Sequence, residues 1–293
     1  MKRFVCKEQI YRGRMSVVHR ATDSVTSRSV IVKRCFAWKK AKNELDTLLD
    51  LETFGARNVV SLEVRRLVSD LEISGSDDGV APPGGLRFPS SLVLPMYTRH
   101  PGLCYTDQEI GPMVKDVLTG LMDIHMRGYI HRDIKPDNIL FDDTSKEHKI
   151  IDFGLSIKKE EADGHPHLCG TPFFLAPETV NHLCASRYTD MYSLGVTIYS
   201  LLHGGRHPVD AVNHVTRGRE CRDAIASIPY DPRDWTNELA PMSMDLCSLL
   251  LKTSPSERVS ASEALFHPLV REHGSPLKTE EDMESSLDNG VPH

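Results

Sequence analysis

The stretch of residues 129–154 constrains this chain more than any other part of it. It carries two carboxylates, Asp133 and Asp152, and between them the amine of Lys135 and the amide of Asn138. Two short apolar runs separated by a polar turn predict a hairpin, which would fold these polar groups back onto one cleft. An amide and a carboxylate can hold a hard cation through oxygen, and a second carboxylate can accept a proton from a hydroxyl. Such a combination is typical of sites that transfer a phosphoryl group.

Three short motifs follow one another in a set order along the chain. They are His131-Arg132-Asp133, Asp152-Phe153-Gly154 and Ala176-Pro177-Glu178. In this order and spacing they resemble the eukaryotic-type protein kinases, and Lys135 resembles the Ser/Thr-specific branch of that family. The resemblance covers roughly residues 5–270. It implies an α+β, bilobal, protein-kinase-like fold, with a small β-rich N-lobe that has one helix and a larger, mainly helical C-lobe.

The resemblance and the composition together divide the chain. Residues 1–97 are predicted to form the N-lobe and hinge, and residues 98–270 the C-lobe. Residues 69–91 are rich in Gly, Pro, Ser and Asp and carry few large apolar side chains. Because such a segment cannot bury enough surface to offset its chain entropy, we predict a mobile insertion there. Residues 271–293 lose all apolar periodicity and collect acidic residues, which indicates a disordered tail.

Local patterns predict the elements within the lobes. Runs of β-branched residues at 16–21 and 29–34 predict strands, and residues 59–68 also have strand character. Residues 41–51 have apolar positions on one side only, which predicts a helix, and the short loop before it indicates that this helix is truncated. Apolar positions at helical spacing predict three further helices, at residues 110–124, 190–202 and 242–252.

The first of these three helices has conflicting start signals. Thr106 and Glu109 have the spacing of a capping box, whereas Pro112 would break a helix that is already several residues long. Either the helix begins at Gly111 and Pro112, with proline in its first turn, or it is kinked there. The segment between Tyr97 and Thr106 is short, so we expect the further helix that the family usually places there to be vestigial.

The resemblance implies the catalytic roles residue by residue. Asp133 would be the catalytic base or would orient the attacking hydroxyl, and Lys135 would hold the transferring phosphate. Asn138 and Asp152 would bind Mg²⁺, which takes oxygen ligands and keeps waters and phosphate oxygens as the rest. Thr171 would hydrogen-bond to Asp133 and Lys135. The implied cofactors are therefore ATP and Mg²⁺.

The nucleotide is expected to bind beneath the strands of the N-lobe. Ile31 and Lys33 share one face of their predicted strand. The resemblance implies that Lys33 binds the α- and β-phosphates and pairs with Glu44 of the short helix. The other residues that it implies for the nucleotide site are Ile10, Gly13, Val18, Ile31, Leu94, Met96 and Leu140.

The loop that would cover the nucleotide departs from the family pattern. Only Gly13 of three expected glycines is present, because Tyr11 and Ser16 replace the other two. Ile31 replaces a usual alanine and narrows the adenine slot. Gly13 can still let backbone N–H groups approach phosphate. This departure keeps one alternative open, a pseudokinase that acts as a nucleotide-binding or scaffold module without turnover.

The activation segment lacks the usual phosphorylation site. Residues 157–170 contain no Ser, Thr or Tyr, and His167 stands where many kinases carry an activating phosphothreonine. Arg132, which would grip such a phosphate, has only nearby acidic residues as anionic partners. We therefore predict activity that does not require phosphorylation of this loop, with a partner protein or a constitutively ordered segment setting the active state.

The end of the activation segment predicts the class of substrate. Leu168, Pro172 and Leu175 match the apolar pocket that takes the residue after the phosphoacceptor in related kinases. We therefore expect a protein substrate with a hydrophobic residue, not proline, at that position. The segment around Thr171 and Ala176 resembles a peptide-docking segment, which disfavours a second alternative, a small-molecule kinase of related fold.

Five further residues are predicted to be structural. His125 and His131 lie in apolar settings, and His131 is expected to pack against the Phe of the second motif. Asp190 resembles the aspartate that holds the backbone of the catalytic loop. Glu178 and Arg258 resemble a buried ion pair, which is costly to break by removing one partner.

Composition limits the class of protein and its partners. The 293 residues carry a net charge of −6 with both signs scattered, so no nucleic-acid surface is indicated. Seven cysteines without a C-x-x-C pair argue against a disulfide framework or a structural zinc site. The first residues lack the apolar core of a signal peptide, and no long apolar run is present. We expect a cytoplasmic or nuclear protein with no membrane or nucleic-acid partner.

Overall fold

The computed structural model describes residues 2–13, 15–69, 72–74, 90–99, 106–164, 169–181, 184–206, 208 and 240–272. Most of the insertion predicted at residues 69–91, the tail after residue 272, the segment of the vestigial helix, Leu168 and His167 lie outside these ranges. Within them, none of the helices has the length and apolar character needed to cross a membrane.

A five-stranded sheet forms the first part of the fold. Its strands are β1 (Phe4–Arg12), β2 (Ser16–Asp23), β3 (Ser29–Cys35), β4 (Ile73–Ser74) and β5 (Ser90–Pro95). They lie in the order β4, β1, β2, β3, β5, and all neighbours are antiparallel except β4, which runs parallel to β1. Val30, Val32 and Phe4 are buried in a small core of their own, which leaves the other face of β3 for the site.

Helix α1 (Trp38–Phe54) follows β3 and buries Glu44, Leu48 and Leu51 along one side. It ends at Gly55, whose φ of 81° lies in the left-handed region that favours glycine. The helix has 17 residues, so the prediction of a truncated helix was wrong. The loop between β3 and α1 is short because the helix already begins at Trp38. The helix itself has not lost turns.

Longer helices build the second part of the fold. They are α2 (Asp107–Met126), α4 (Arg187–Leu202) and α5 (Pro241–Leu250), with the short helices α3 (Pro177–Val180), α6 (Ala261–Ala264) and α7 (Pro268–Arg271) beside them. Helices α2, α4 and α5 contribute most of the largest apolar core. A β-rich lobe with one helix and a mainly helical lobe confirm the predicted α+β, bilobal class.

The conflict at the start of α2 is resolved in favour of the capping box. The Thr106 hydroxyl accepts from the backbone N–H of Glu109, whose side chain accepts from the backbone N–H of Thr106. The helix therefore begins at Asp107 and continues through Pro112, and the alternative of a start at Gly111 and Pro112 was wrong. The two reciprocal bonds satisfy the backbone N–H groups of Thr106 and Glu109, which have no partners within the helix.

Two small sheets contain the strands of residues 129–154, the catalytic stretch. Strands β6 (Thr98–Arg99), β8 (Ile139–Asp142) and β9 (Glu147–Ile150) form one, and β7 (Tyr129–Ile130) with β10 (Ile157–Lys158) forms the other. The antiparallel pair of β8 and β9 is the predicted hairpin. It brings the two ends of the catalytic stretch back together.

Two predictions at the edge of the N-lobe were wrong. Residues 59–68 form only isolated bridges, because their backbone bonds are divided between Ile150 of β9, which accepts from Val60, and Ser91 of β5, which exchanges two bonds with Val68. Part of the predicted insertion is ordered, since Ile73 pairs with Phe4 and is only 4% exposed. Burying one isoleucine against a core phenylalanine fixes a strand within an otherwise polar segment.

Candidate active site

The carboxylate of Asp133 lies at the centre of the catalytic stretch and is almost fully bonded. Its Oδ1 accepts from the hydroxyl and the backbone N–H of Thr171, at 2.7 and 2.9 Å. Its Oδ2 accepts from Lys135 Nζ at 2.8 Å and from Asn138 Nδ2 at 3.0 Å. Lys135 also donates to the Thr171 hydroxyl at 2.6 Å. The predicted contacts of Thr171 with Asp133 and Lys135 are present, and they fix the orientation of the carboxylate.

Asp190 of α4 stabilises the backbone of the catalytic stretch. Its fully buried carboxylate accepts from the backbone N–H groups of His131 and Arg132, at 2.9 and 2.8 Å, as predicted. Arg132 needs that support because its φ of 68° is left-handed, which is uncommon for a residue with a side chain. His125 bonds to the same carboxylate through Nε2 at 2.9 Å.

The second histidine, His131, joins the Asp152-Phe153-Gly154 motif to residues 131–133. The His131 ring meets the Phe153 ring edge-on, with centroids 4.8 Å apart, and its Nε2 bonds to the Ile151 carbonyl at 3.0 Å. Phe153 is fully buried in the large core. The predicted packing of His131 against Phe153 is therefore present, and it makes one unit of the two motifs.

Lys33 of β3 connects the N-lobe to this unit. Its Nζ donates to both carboxylate oxygens of Glu44 in α1, each at 2.7 Å, and to Asp152 Oδ1 at 2.7 Å. The Lys33 and Glu44 side chains are only 9% and 2% exposed, so the predicted pair is buried. Burial by itself lowers the pKa of Lys33, but the charges of Asp152 and Glu44 outweigh it and raise that pKa.

Asp152 remains ionised throughout the physiological range. Burial raises the pKa of its carboxyl, but the charge and hydrogen bond of Lys33 outweigh burial and lower that pKa to about 2. Its φ of 65° is left-handed, and its side chain stays 43% exposed to the cleft. An anionic oxygen that faces the cleft is suited to a cation.

The donor set of Asn138 and Asp152 fits Mg²⁺. The Asn138 side chain donates through Nδ2 to Asp133. This leaves its amide oxygen available as a ligand. In the described ranges no group of three or more His, Cys, Asp or Glu side chains could hold a metal. Two oxygen ligands are nevertheless enough for an ion that keeps waters and takes phosphate oxygens.

The pairing of the strands places most of the predicted adenine residues on one face. Val18 lies opposite Lys33, and Ile31 lies opposite Leu94. Because directly opposed residues project on the same side of a sheet, these four side chains line the face above the hairpin. Leu140 pairs with the neighbouring strand β6 on the other side of the cleft. These assignments to the nucleotide remain predictions.

Ile10 and Met96, both predicted for the nucleotide site, have exposed side chains. Each is 43% exposed. Ile10 falls in an irregularity of β1, between the pairs Gln9 with His19 and Tyr11 with Val18. Tyr11 is therefore the residue opposed to Val18 on the cleft side. No residue of β1 signals this irregularity in advance, so Ile10 and not Tyr11 was predicted for the nucleotide site.

Gly13 lies in the turn between β1 and β2, where its N–H donates to the Ser16 carbonyl at 2.9 Å. A Cβ atom added at Gly13 would lie 2.6 Å from Tyr11 Oη and 2.8 Å from its ring. The tip of Tyr11 thus occupies the space that a side chain at Gly13 would take. A side chain at Gly13 would therefore have to displace the exposed tip of Tyr11.

The remaining predicted contacts are also formed, with one exception. Arg258 makes two 2.7 Å bonds to the carboxylate of Glu178, and both side chains are nearly fully buried. The Arg132 side chain donates its Nε to the Leu155 carbonyl at 2.7 Å, and no hydrogen bond joins its guanidinium to a carboxylate among the side chains that the structure describes.

Comparisons with known proteins agree with this geometry. The family model described as Protein kinase domain matches residues 93–270. Calcium-dependent protein kinase 4 of Arabidopsis thaliana is 34% identical over 178 residues, which are 60% of this chain and 34% of that protein. The calcium and calcium/calmodulin-dependent serine/threonine-protein kinase of Lotus japonicus is 35% identical over 179 residues, 60% of this chain and 33% of that protein. A probable myosin light chain kinase of Dictyostelium discoideum is 34% identical over 193 residues, 64% of this chain and 48% of that protein.

The match and the site complement each other. The chain spans about a third of the length of the first two of these relatives. The family match starts within β5, so Lys33 and Glu44 lie upstream of it, and the tertiary structure brings them to Asp152. The match covers more than half of the chain and includes the three motifs at residues 131–133, 152–154 and 176–178. The chain therefore belongs to the protein kinase domain family.

Proposed function

We propose that the chain is a serine/threonine protein kinase that transfers the γ-phosphate of ATP to a hydroxyl of a protein, with Mg²⁺. The observation that carries this proposal is the position of the Asp133 carboxylate, held by Thr171, Lys135 and Asn138 in one network. A catalytic group must be held in place before the substrate arrives, because geometry precedes proton transfer. The family membership supports the same reaction.

The residues of the site divide the work of the reaction. Asp133 orients the attacking hydroxyl and accepts its proton, while Lys135 places a positive charge beside the group that is transferred. Asn138 and Asp152 would hold Mg²⁺ through oxygen, and the ion would neutralise phosphate charge when bound. Lys33, kept in place by Glu44, binds the α- and β-phosphates.

The decisive experiment compares the wild-type chain with Asp133→Asn on a generic protein substrate. The substitution keeps the shape of the side chain and removes the proton acceptor. We expect phosphoryl transfer to fall by about 10²- to 10⁴-fold, the range for loss of a general base. Asp137→Asn is the matched control, because Asp137 is an exposed carboxylate in the same stretch. Equal background in wild type and Asp133→Asn would favour the pseudokinase instead.

Two finer proposals concern substrate and activation. The Leu175 side chain is buried beside Gly170, and Pro172 is exposed next to it, which supports a preference for a hydrophobic residue after the phosphoacceptor. A peptide library that selected proline there would contradict this. We also propose that activity does not require phosphorylation of residues 157–170, which lack Ser, Thr and Tyr. Loss of activity after phosphatase treatment, traced to this loop, would contradict it.

A further inference from the structure

One carboxylate outside the catalytic network collects donors from three elements. Asp50, near the end of α1, accepts from Arg127 Nη2 at 2.6 Å and from Arg127 Nε at 3.1 Å. It also accepts from the Tyr129 hydroxyl at 2.9 Å and from Lys158 Nζ at 3.1 Å. Four bonds on one carboxylate are close to its full capacity as an acceptor.

Two of these donors are direct partners in the sheet that flanks the catalytic stretch. Lys158 of β10 is paired with Tyr129 of β7, and the Lys158 ammonium lies 4.2 Å from the centre of the Tyr129 ring. Strand β7 leads directly into His131, and β10 follows the metal-binding motif that ends at Gly154. Asp50 therefore contacts both strands at one rung of the ladder.

The same helix carries the partner of the phosphate-binding lysine. Glu44 precedes Asp50 in α1 by less than two turns, about 9 Å along the helix axis. An α-helix of this length behaves as a rigid rod over such a distance. A fixed position of Asp50 on β7 and β10 thus restricts the position of Glu44, and with it that of Lys33.

The arginine that precedes the catalytic base does not provide an equivalent link. The Arg132 side chain donates to a carbonyl oxygen, that of Leu155, and no hydrogen bond joins its guanidinium to a carboxylate among the side chains that the structure describes. Residues 157–170 offer no hydroxyl that could become a phosphate partner for it. In the described structure Asn43 of α1 donates to the Ser156 carbonyl at 3.0 Å. A charged link from α1 to the segment after Gly154 is provided by the Asp50 carboxylate, which accepts from Lys158.

We propose that Asp50 is a positioning residue that fastens helix α1 to the β7–β10 pair and so keeps Glu44 and Lys33 in register with the catalytic stretch without phosphorylation. The proposal rests on the proposed function for its kinetic consequence, but not for its structural one. The Arg127 hydrogen bond is the chief cause that lowers the pKa of Asp50 to about 2, so the contact persists at neutral pH.

The size of the effect follows from the exposure of the cluster. The Asp50 side chain is 25% exposed, and those of Arg127 and Lys158 are 44% and 35% exposed. A single pair of this kind contributes little, but three donors on one carboxylate act together. We expect Asp50→Asn to lower kcat roughly 5- to 20-fold and to raise KM for ATP, since the position of Lys33 is loosened.

The matched control is Asp46→Asn. Asp46 lies in the same helix and makes one exposed bond, to Lys42, at 2.6 Å. We expect Asp46→Asn to leave kcat and KM within about 2-fold of wild type. Asp50→Glu, which keeps the charge, should recover part of the lost activity. If Asp50→Asn and Asp46→Asn have the same kcat and the same KM for ATP, the kinetic part of the proposal is wrong.

A second measurement separates this proposal from the proposed function. Amide hydrogen exchange of the peptides that cover β7 and β10 should become faster in Asp50→Asn than in Asp46→Asn, whether or not the chain turns over ATP. Combining Asp50→Asn with Lys158→Met should add little to the change in exchange, because both remove the same contact. Unchanged exchange in β7 and β10 would overturn the proposal, whereas an inactive wild type with the expected exchange would overturn only the proposed function.

Discussion

The catalytic stretch and the β1–β2 turn would lie on opposite sides of the nucleotide, and they are stabilised in opposite ways. Asp133 is 7% exposed and bonded by three side chains from two segments. Tyr11, near the end of β1 beside the turn, is 54% exposed, and its side chain lies over Gly13. The position of the Asp133 carboxylate thus depends on a buried network, whereas the turn that would cover the nucleotide depends on a local contact.

The difference explains how a chain can keep one half of the family pattern and lose part of the other. Removing one member of a buried polar network leaves its partners unsatisfied, which costs more than the bond itself contributes. Replacing a glycine in an exposed turn costs only what the turn requires in backbone freedom. We therefore expect substitutions on the two sides to differ in size and in which kinetic constant they change.

Among substitutions that leave Asp133 itself in place, the largest effect is expected on the network side, from Thr171→Val. The variant keeps the shape of the side chain but removes the hydroxyl that donates to Asp133 and accepts from Lys135. Hydrogen bonds to charged groups contribute about 1.5–3 kcal/mol, so kcat should fall about 10- to 100-fold with KM for ATP little changed. Thr171→Ser retains the hydroxyl and is the control. A variant with wild-type kcat would show that the network does not position Asp133.

A smaller effect is expected from acid, again on the network side. Asp50 and Asp152 have a pKa of about 2 in the folded chain, below the value of about 3.9 for an unperturbed aspartate. Their ionised forms therefore stabilise the fold above about pH 4, and this contribution is lost as the pH falls toward 2. For the partly exposed Asp50 it amounts to about 1–2 kcal/mol after allowance for solvent screening.

Urea unfolding of wild type and Asp50→Asn at a series of pH values checks this. The difference in their free energy of unfolding should be constant from pH 7 down to about pH 5 and should shrink below about pH 4. A difference that grew in acid would have the wrong sign for a carboxylate with a lowered pKa.

The smallest effect is expected in the turn, from Gly13→Ala. The added Cβ would lie 2.6 Å from Tyr11 Oη, but that atom is the tip of an exposed side chain and can move. Displacing it should cost about 0.5–1 kcal/mol and raise KM for ATP about 2- to 5-fold, with kcat unchanged. In a Tyr11→Ala background the same substitution should have almost no effect. A full penalty in that background would mean that Gly13 serves phosphate approach alone.

The fold class and the contacts of Asp133 were predicted because the three motifs resemble those of the protein kinases, whereas the hairpin between the first two motifs rests on a short-range pattern. The spacing of Asp133, Asn138 and Asp152 around a hairpin brings them together with little help from the rest of the chain. The same holds for the strand of Lys33, whose alternation shows which face it lies on. The roles of these residues with ATP and Mg²⁺ stay predictions.

The errors occur where distant groups decide the local structure. The backbone bonds of residues 59–68 are divided between Ile150 of β9 and strand β5, so no continuous strand forms there. The irregularity that moves Tyr11 opposite Val18 depends on how β1 pairs with β2, which composition does not reveal. At the start of α2 the capping box forms although Pro112 follows, because the helix buries its apolar side in the large core and this packing offsets the cost of the proline.

The sequence by itself determined which groups are available for chemistry: two aspartates, an asparagine, two lysines and a threonine in a fixed order. Only the tertiary structure decided how they are held. It placed Lys33 between Glu44 and Asp152, and it brought Asp50 to both Tyr129 and Lys158. The physical reason is that a motif specifies local geometry, whereas contacts between residues far apart in sequence form only when packing brings their elements together.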